Sequence, residues 1–185
     1  MDTNKFLKGK SKTAHEFFGN HPKDGGYIFR VFAPNAYKVE LIGDFNDWQG
    51  QGLRKYRTGV FSANIKNAKK GDRYQYKLTT REGEIIKKVD PYARAMLVEE
   101  NCSLVGDDDY DFKNKKVNKK PKNIYQVHLG SLLKDETFSF DKLIGHCVAN
   151  NFDCICLLPV TEYENYKSYG YKSTGLFTFA GRYGS

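Results

Sequence analysis

The spacing of apolar residues changes partway along this sequence, and that change limits the folds it can adopt. Between Tyr27 and Val89, apolar and polar residues alternate in short segments such as Phe61–Ile65 and Tyr74–Leu78, with turn residues between them. A two-residue period places one face of a strand in a core and the other in water. The pattern predicts a mostly β chain with an immunoglobulin-like antiparallel β-sandwich over residues 15–112. Its expected strands are 27–33, 39–43, 61–65, 74–79 and 84–89.

The stretches on either side of these strands lack that period. Residues 1–14 are polar, so we expect a flexible N-terminus, and the chain becomes irregular after Asp90-Pro91. Residues 113–122 contain six lysines, one proline and no acid, which is typical of a solvated linker. Removing these lysines from the formal net charge of +8 leaves +2, so the excess positive charge is local.

From residue 123 onward, the apolar pattern becomes strand, helix, strand. Residues 124–129 are expected to form a strand, and 152–158 form a nearly continuous apolar run that is typical of a buried parallel strand. A helix is expected between an N-cap at Ser139 and Asn150-Asn151, and its apolar face consists of Phe140, Leu143, Ile144, Cys147 and Val148. Segment 123–185 is too short for a (β/α)8 barrel of about 250 residues, so we expect an incomplete βαβ start of one.

Several function classes are disfavoured by features that the sequence lacks. No apolar run resembles a signal peptide or approaches the roughly 18 residues of a membrane span. The four cysteines include no CxxC pair, and no residue spacing indicates a metal site, a phosphate loop or a cofactor. We therefore expect a cytoplasmic protein with reduced cysteines, no metal, no cofactor and no membrane partner.

Four motifs follow one another in the C-terminal part: 124–131 (IYQVHLGS), 157–163 (LLPVTEY), 168–177 (SYGYKSTGLF) and 181–184 (GRYG). They resemble the opening of the catalytic barrel in 1,4-α-glucan branching enzymes of the α-amylase superfamily. Their order and spacing match the family pattern along the whole C-terminal part.

Four further segments resemble the carbohydrate-binding sandwich of the same family. They are 18–21 (FGNH), 29–36 (FRVFAPNA), 43–48 (GDFNDW) and 88–93 (KVDPYA). Each motif alone is modest evidence, but together, in family order, they identify the sequence as similar to the N-terminal part of a branching enzyme.

The resemblance implies a role in the transfer of α-1,4-glucan chains to 6-hydroxyl groups, with glycogen, starch or malto-oligosaccharides as the glucan. In the family, an aspartate nucleophile and a glutamate acid–base on the middle barrel strands perform this retaining reaction, and the sequence ends before them. We therefore expect no catalytic residue within this chain and no catalysis by the chain alone. Glu162, just beyond the second barrel strand, is expected to have a structural role.

The resemblance also implies three substrate-binding residues. Trp48 and Lys77 match positions that contact glucan in related glycogen-binding modules, where a Trp face packs on a sugar ring and a Lys binds hydroxyl groups. Lys77 falls on the polar side of its expected strand. Tyr171 matches a family residue that faces the sugar at the cleavage point.

Two other functions stay open at the level of sequence. One is a non-catalytic α-glucan-binding protein that uses the sandwich alone. The other is a basic nucleic-acid-binding protein, which is disfavoured because residues 113–122 contain no aromatic side chain to stack on bases. The unpaired strands of an incomplete barrel also predict self-association of the chain.

Overall fold

The computed structural model describes residues 2–106 and 120–183, and these divide into two compact units. The first unit lies within Met1–Asp108 and Gly175–Thr178, and the second within Asp109–Thr174 and Phe179–Ser185. Residues 113–119 of the expected lysine-rich linker lie outside the described residues. The domain bounds expected from the sequence stay predictions.

The first unit is a sandwich of two antiparallel sheets. Its described elements are helix α1 (Thr3–Leu7) and the strands β1 (Gly19–Lys23), β2 (Gly26–Phe32), β3 (Lys38–Gly43), β4 (Gln51–Gly52), β5 (Arg54–Lys55), β6 (Val60–Ile65), β7 (Arg73–Thr79), β8 (Ile85–Lys88), β9 (Ala95–Leu97) and β10 (Cys102–Leu104). One sheet has the order β1-β2-β6-β5, and the other has the order β4-β3-β7-β10-β9, with β8 also paired to β7. This architecture confirms the predicted β-sandwich.

The predicted alternation separates the core face of each sheet from its outer face. In β3, Val39 and Leu41 are wholly buried, and so are Tyr74 and Tyr76 in β7. The antiparallel register places Leu41 opposite Tyr76. Phe29 of the other sheet meets Tyr74 edge-to-face, with 5.0 Å between ring centroids, a contact that contributes about 1 kcal/mol beyond the area it buries. The buried rings therefore join the two sheets.

Three parts of the first unit contain elements that the sequence patterns did not predict. The segment after Asp90-Pro91, expected to be irregular, contains β9 and β10, and β10 pairs with β7. Within residues 1–14, α1 packs the ring of Phe6 against Phe18, with 4.7 Å between centroids. β1 pairs with β2 although its sequence, GNHPK, shows no alternation. These short elements depend on tertiary contacts rather than on their own periodicity.

The second unit is built around a βαβ unit, as predicted. Its elements are β11 (Ile124–Val127), α2 (Leu129–Leu132), α3 (Phe140–Ala149), β12 (Cys154–Leu157), β13 (Thr161–Tyr163) and β14 (Ser173–Phe179), although residues 175–178 of β14 belong to the first unit. β11 and β12 are parallel. Ser139 caps α3 by accepting a hydrogen bond from the Lys142 amide at 3.2 Å, and Asn151 takes the left-handed conformation just beyond the helix.

The described part of the chain contains no helix that is both long enough and apolar enough to cross a lipid bilayer.

The apolar face of α3 is only partly covered. Leu143 and Cys147 pack against Val127 of β11. The expectation that β12 is buried on both faces was wrong, since Leu157 is 40% exposed. The apolar side chains of α3 that stay at least half exposed are Phe140, Ile144 and Val148. Leu157 of β12 is exposed because α3 packs on one face of the β11–β12 pair, and the described residues of this unit place no second helix of similar length on the other face.

A buried carboxyl group holds two tyrosines in the core of the sandwich. Asp90 is 1% exposed, and its Oδ2 accepts hydrogen bonds from the hydroxyls of Tyr74 at 2.8 Å and Tyr76 at 3.1 Å. Its Oδ1 accepts from the amide of Tyr92 at 2.8 Å. Burial raises the pKa of Asp90 to about 6, although the three hydrogen bonds act in the opposite direction.

The buried carboxyl group predicts an unusual dependence of stability on pH. Asp90 keeps its proton up to about pH 6 when folded, whereas an unfolded aspartate loses it near pH 4. Asp90 therefore stabilises the folded state fully below about pH 4, and this contribution is lost as the pH rises through about 6. An increase of about two in the pKa corresponds to about 3 kcal/mol in the free energy of unfolding. Urea denaturation between pH 4.5 and 7.5 should show this fall, and Asp90→Asn should flatten it.

The matched control is Asp24→Asn, which removes one carboxyl group from an exposed turn with a left-handed φ that asparagine also tolerates. This variant should keep the slope of the unmodified protein. A slope that persists in Asp90→Asn would mean that another group causes it.

Candidate functional site

A tight loop after β3 determines the position of Trp48. The Asn46 side chain caps the loop, since its Oδ1 accepts from the Gly43 amide at 2.9 Å and its Nδ2 donates to the Leu41 carbonyl at 3.1 Å. Asp47 and Trp48 both have left-handed φ values, of +52° and +59°. The Trp48 amide then donates to the Gly43 carbonyl at 2.9 Å. The loop is thus closed on itself, and its last residue is the only tryptophan of the chain.

The Trp48 side chain is held at one edge and remains accessible. Its Nε1 donates to Asp44 Oδ1 at 3.1 Å, and the residue is 37% exposed. Arg73 of β7 forms a forked pair with Asp44, with Nε to Oδ2 and Nη2 to Oδ1 both at 3.0 Å. The guanidinium carbon also lies 5.9 Å from the Trp48 ring centroid. Hydrogen bonds from Arg73 hold the pKa of Asp44 below its ordinary value, so this carboxylate stays charged.

Lys77 lies on the outer face of β7, opposite Glu40 of β3. Its Nζ is 3.3 Å from Glu40 Oε2, and the Nζ of Lys38 is 2.8 Å from Oε1. Glu40 is 8% exposed, and a Cβ at Gly50 would lie 2.6 Å from its Oε1. The hydrogen bond from Lys38 is the main cause that lowers the pKa of Glu40. The Lys77 ammonium is therefore oriented by a carboxylate and keeps 30% of its side chain exposed.

Trp48 and Lys77 lie toward the same face of one sheet, because Arg73 and Lys77 both alternate onto the outer face of β7 and the Arg73 guanidinium lies 5.9 Å from the Trp48 ring centroid. The Trp48 amide is bonded at Gly43, and Lys77 pairs with Glu40, three residues earlier on β3. Three residues of a strand span about 10 Å. Sequence reasoning missed Arg73 and Glu40 as residues that position these two side chains, although alternation already places Arg73 on the polar face of β7.

Tyr171 belongs to the second unit and lies in the loop between β13 and β14, where it is 70% exposed. The loop surrounds a pocket of about 690 Å³, and its lining residues are Glu164, Asn165, Ser168, Tyr169, Tyr171, Lys172, Ser173 and Thr174. Gly170 has φ +81°, and a Cβ there would lie 2.8 Å from the ring of Tyr163. Glycine at this position therefore allows the loop conformation in which Tyr169 and Tyr171 line the pocket. Tyr169, to which the sequence assigned no binding role, is 71% exposed.

Glu162 supports this loop from within the second unit, where it is 1% exposed. Its Oε1 accepts hydrogen bonds from the Tyr163 amide at 3.0 Å and the Tyr166 hydroxyl at 2.9 Å. Its Oε2 accepts from the Gly181 amide at 2.9 Å. The guanidinium of Arg182 lies 4.7 Å from the Tyr166 ring centroid. These contacts tie β13, the loop and the segment after β14 together, and they give Glu162 a structural task.

Comparison with known sequences gives one family match and several relatives. Residues 17–93 match carbohydrate-binding module 48 (isoamylase N-terminal domain). The whole chain is 34% identical to the 1,4-alpha-glucan branching enzyme of Fusobacterium nucleatum and covers 34% of that protein. Over 97% of its length it is 33% identical to the branching enzyme of Bacillus subtilis, of which it covers 32%. The chain therefore spans about a third of the length of the curated relatives it matches.

Comparison with solved structures gives the same architecture. The pullulanase of Anoxybacillus sp. LM18-11 in complex with maltotetraose has a TM-score of 0.73 at 16% identity, over 94% of this chain and 32% of that protein. A putative alpha amylase from Salmonella typhimurium has a TM-score of 0.71 at 21% identity, over 91% of this chain and 29% of that protein. At these identities the likeness shows the fold, and it confirms the predicted fold class.

The environment of Glu162 predicts the effect of an isosteric change. Glu162→Gln would replace one acceptor oxygen by an NH2 group, which cannot accept the hydrogen bond that the oxygen accepts now. Leaving a buried donor without its acceptor costs about 1–3 kcal/mol. We expect faster hydrogen exchange at the backbone amides of residues 160–183 in this variant. Glu164→Gln, at an exposed position two residues away, is the control and should exchange like the unmodified protein. Equal exchange in both variants would contradict a structural role.

Proposed function

We propose that this chain is the N-terminal portion of a 1,4-alpha-glucan branching enzyme, because it resembles such enzymes over its length and its residues 17–93 match carbohydrate-binding module 48. The chain supplies the glucan-binding and scaffolding part of an enzyme that transfers α-1,4 chains to 6-hydroxyl groups. Its own residues bind and orient an α-1,4-glucan such as glycogen, starch or a malto-oligosaccharide. Bond transfer depends on carboxylates that the resemblance assigns to later barrel strands.

The accessible Trp48 ring on a closed loop is the observation that carries this proposal. A pyranose ring has apolar C–H faces and polar edges, so it pairs with an aromatic plate surrounded by hydrogen-bonding groups. Asp44 holds Trp48 by its indole N–H, and this leaves ring surface free. Lys77 on the same sheet face offers N–H donors to sugar hydroxyls, and Glu40 keeps its ammonium in place.

We assign Tyr171 a second glucan contact, in the second unit. The pocket beside it combines the two exposed rings of Tyr169 and Tyr171 with the polar side chains of Asn165 and Ser168. Aromatic faces next to short polar groups fit a sugar chain by the same chemistry as in the first unit. This pocket is part of the loop that Glu162 supports, so its shape is defined without a bound ligand.

Affinity electrophoresis in gels that contain glycogen tests the first contact. The unmodified chain should be retarded by glycogen, and Trp48→Ala should weaken retention by about tenfold or more, since a lost aromatic contact of about 1.5 kcal/mol corresponds to a factor of ten. Lys77→Met should weaken it by a smaller factor. Tyr37→Ala is the matched control, because it removes a 71% exposed aromatic side chain from the same unit.

Three outcomes would decide the assignment. Equal retention of Trp48→Ala and the unmodified chain would refute the binding role of this face. Equal losses in Trp48→Ala and Tyr37→Ala would show non-specific contact with glycogen. Tyr171→Ala, with Trp48 unchanged, should bind a malto-oligosaccharide more weakly than the unmodified chain if the second contact exists. An unchanged affinity for the oligosaccharide would remove Tyr171 from the site.

We also propose that the chain self-associates through the second unit. The apolar side chains exposed there by 40–68% include Ile124, Phe140, Ile144, Val148 and Leu157. Patches of this kind and an open strand edge favour contact with a second copy. Sedimentation should therefore show association that grows with concentration, and Ile144→Lys combined with Val148→Lys should reduce it. Ile85→Lys, at a 60% exposed position in the sandwich, should not. A monomer at all concentrations would contradict this proposal.

A further inference from the structure

Three loops of the sandwich meet at the end of β3 that is remote from Trp48. They are residues 33–37 between β2 and β3, 56–59 between β5 and β6, and 80–84 between β7 and β8. Backbone hydrogen bonds hold the first two together, since the Ala33 amide donates to the Gly59 carbonyl at 3.0 Å. The Tyr37 amide donates to the Thr79 carbonyl at 2.9 Å, next to the third loop. The position of these loops is thus set by the two sheets.

An open pocket of about 510 Å³ lies between the loops. The residues that line it are Pro34, Lys55, Tyr56, Arg57, Thr58, Gly59 and Arg81. Three of them are cationic, and no carboxylate is among the lining residues that the structure describes. Glu82 follows Arg81 but does not line the pocket, and hydrogen bonds from its own amide and from Thr80 lower its pKa. The pocket therefore has a concentrated positive charge with hydroxyl and aromatic groups beside it.

The walls of this pocket are held by contacts inside the unit. Lys55 donates to the Ala36 carbonyl at 2.6 Å and lies 5.2 Å from the Phe61 ring centroid. Gly59 has φ +81°, and a Cβ there would lie 2.8 Å from Pro34. The turn can therefore approach the first loop only with glycine at this position. The side chains of Arg57 and Arg81 are exposed and can reach a ligand.

We propose that this pocket binds a phosphate group, carried by a phosphorylated sugar or present as the free ion. A phosphomonoester has close to two negative charges and three acceptor oxygens at neutral pH. Arginine forks bind such oxygens in pairs, and Arg57 and Arg81 supply two forks from opposite loops. Lys55 adds a third positive charge, Thr58 a hydroxyl donor, and the 45% exposed Tyr56 ring a surface for the sugar.

This site is separate from the proposed glucan contact of the same unit. β3 begins at Lys38 and ends at Gly43. The pocket loops lie next to Lys38, whereas the Trp48 amide donates its hydrogen bond to the Gly43 carbonyl at the other end. A strand of six residues spans about 17 Å. Loss of phosphate binding would therefore leave retention by glycogen unchanged, and the failure of one proposal does not decide the other.

Isothermal titration of the full chain with inorganic phosphate, glucose 6-phosphate and glucose tests the proposal. About 100 mM NaCl should be present, because salt screens weak contacts between exposed charges. We expect saturable binding of both phosphate compounds and none of glucose. Arg57→Gln combined with Arg81→Gln should weaken binding by about tenfold or more, since two charge-assisted pairs are lost. Tighter binding of the sugar ester, lost again in Tyr56→Ala, would identify a phosphorylated sugar as the better ligand.

The matched control is Lys23→Gln combined with Lys66→Gln, which removes two positive charges from exposed positions that do not line the pocket. It should bind phosphate like the unmodified chain. Equal weakening in both double variants would show that binding follows net charge, and the proposal would fail. Absence of saturable binding of either phosphate compound would also overturn it. Circular dichroism should confirm that both double variants keep the β-sheet content.

Discussion

The pairing of β3 with β7 is the constraint on which the first unit depends. Six residue pairs join the two strands in antiparallel register. This register turns Leu41 and Tyr76 into the core and leaves Glu40 and Lys77 on the outer face. A slip of one residue would exchange the two faces and turn the charged pair into the apolar core. The loops at one end of this strand pair contain Trp48, and those at the other end form the cationic pocket. The same strand register therefore positions both surfaces.

The core of this sandwich contains tyrosines, whose buried hydroxyl groups need a hydrogen-bond acceptor inside the core. A tyrosine hydroxyl in a core costs free energy unless it is hydrogen-bonded. Asp90 accepts from both Tyr74 and Tyr76, and the Asn20 side chain donates to the Tyr74 hydroxyl at 3.0 Å. Asn20 also accepts from the Gly106 amide at 3.0 Å. One polar network therefore connects β1, β7 and the segments after β8 and β10, and it explains how the short strands keep their places.

Several parts of the fold were predictable from local sequence patterns. The alternation at Tyr74–Leu78 predicts β7 and its buried face, and Ser139 marks the start of α3, because both signals depend on local backbone geometry. β9 and β10 were missed because three-residue strands show no period and form through pairing with β7. The surroundings of β12 were misjudged because an apolar run shows what a strand can bury but not how much neighbouring structure covers it.

Alternation and motif order are properties of neighbouring residues, so the amino-acid sequence predicted the fold class, the resemblance to branching enzymes and the candidate contacts Trp48, Lys77 and Tyr171. How those side chains are held depends on tertiary contacts. Glu40 orients Lys77 through strand pairing, and Arg73 reaches Asp44 across 29 positions of the chain. The cationic pocket likewise draws its lining from three loops that sheet packing brings together. Contacts between residues far apart in the chain have no local signal, so they emerge only when the sheets form.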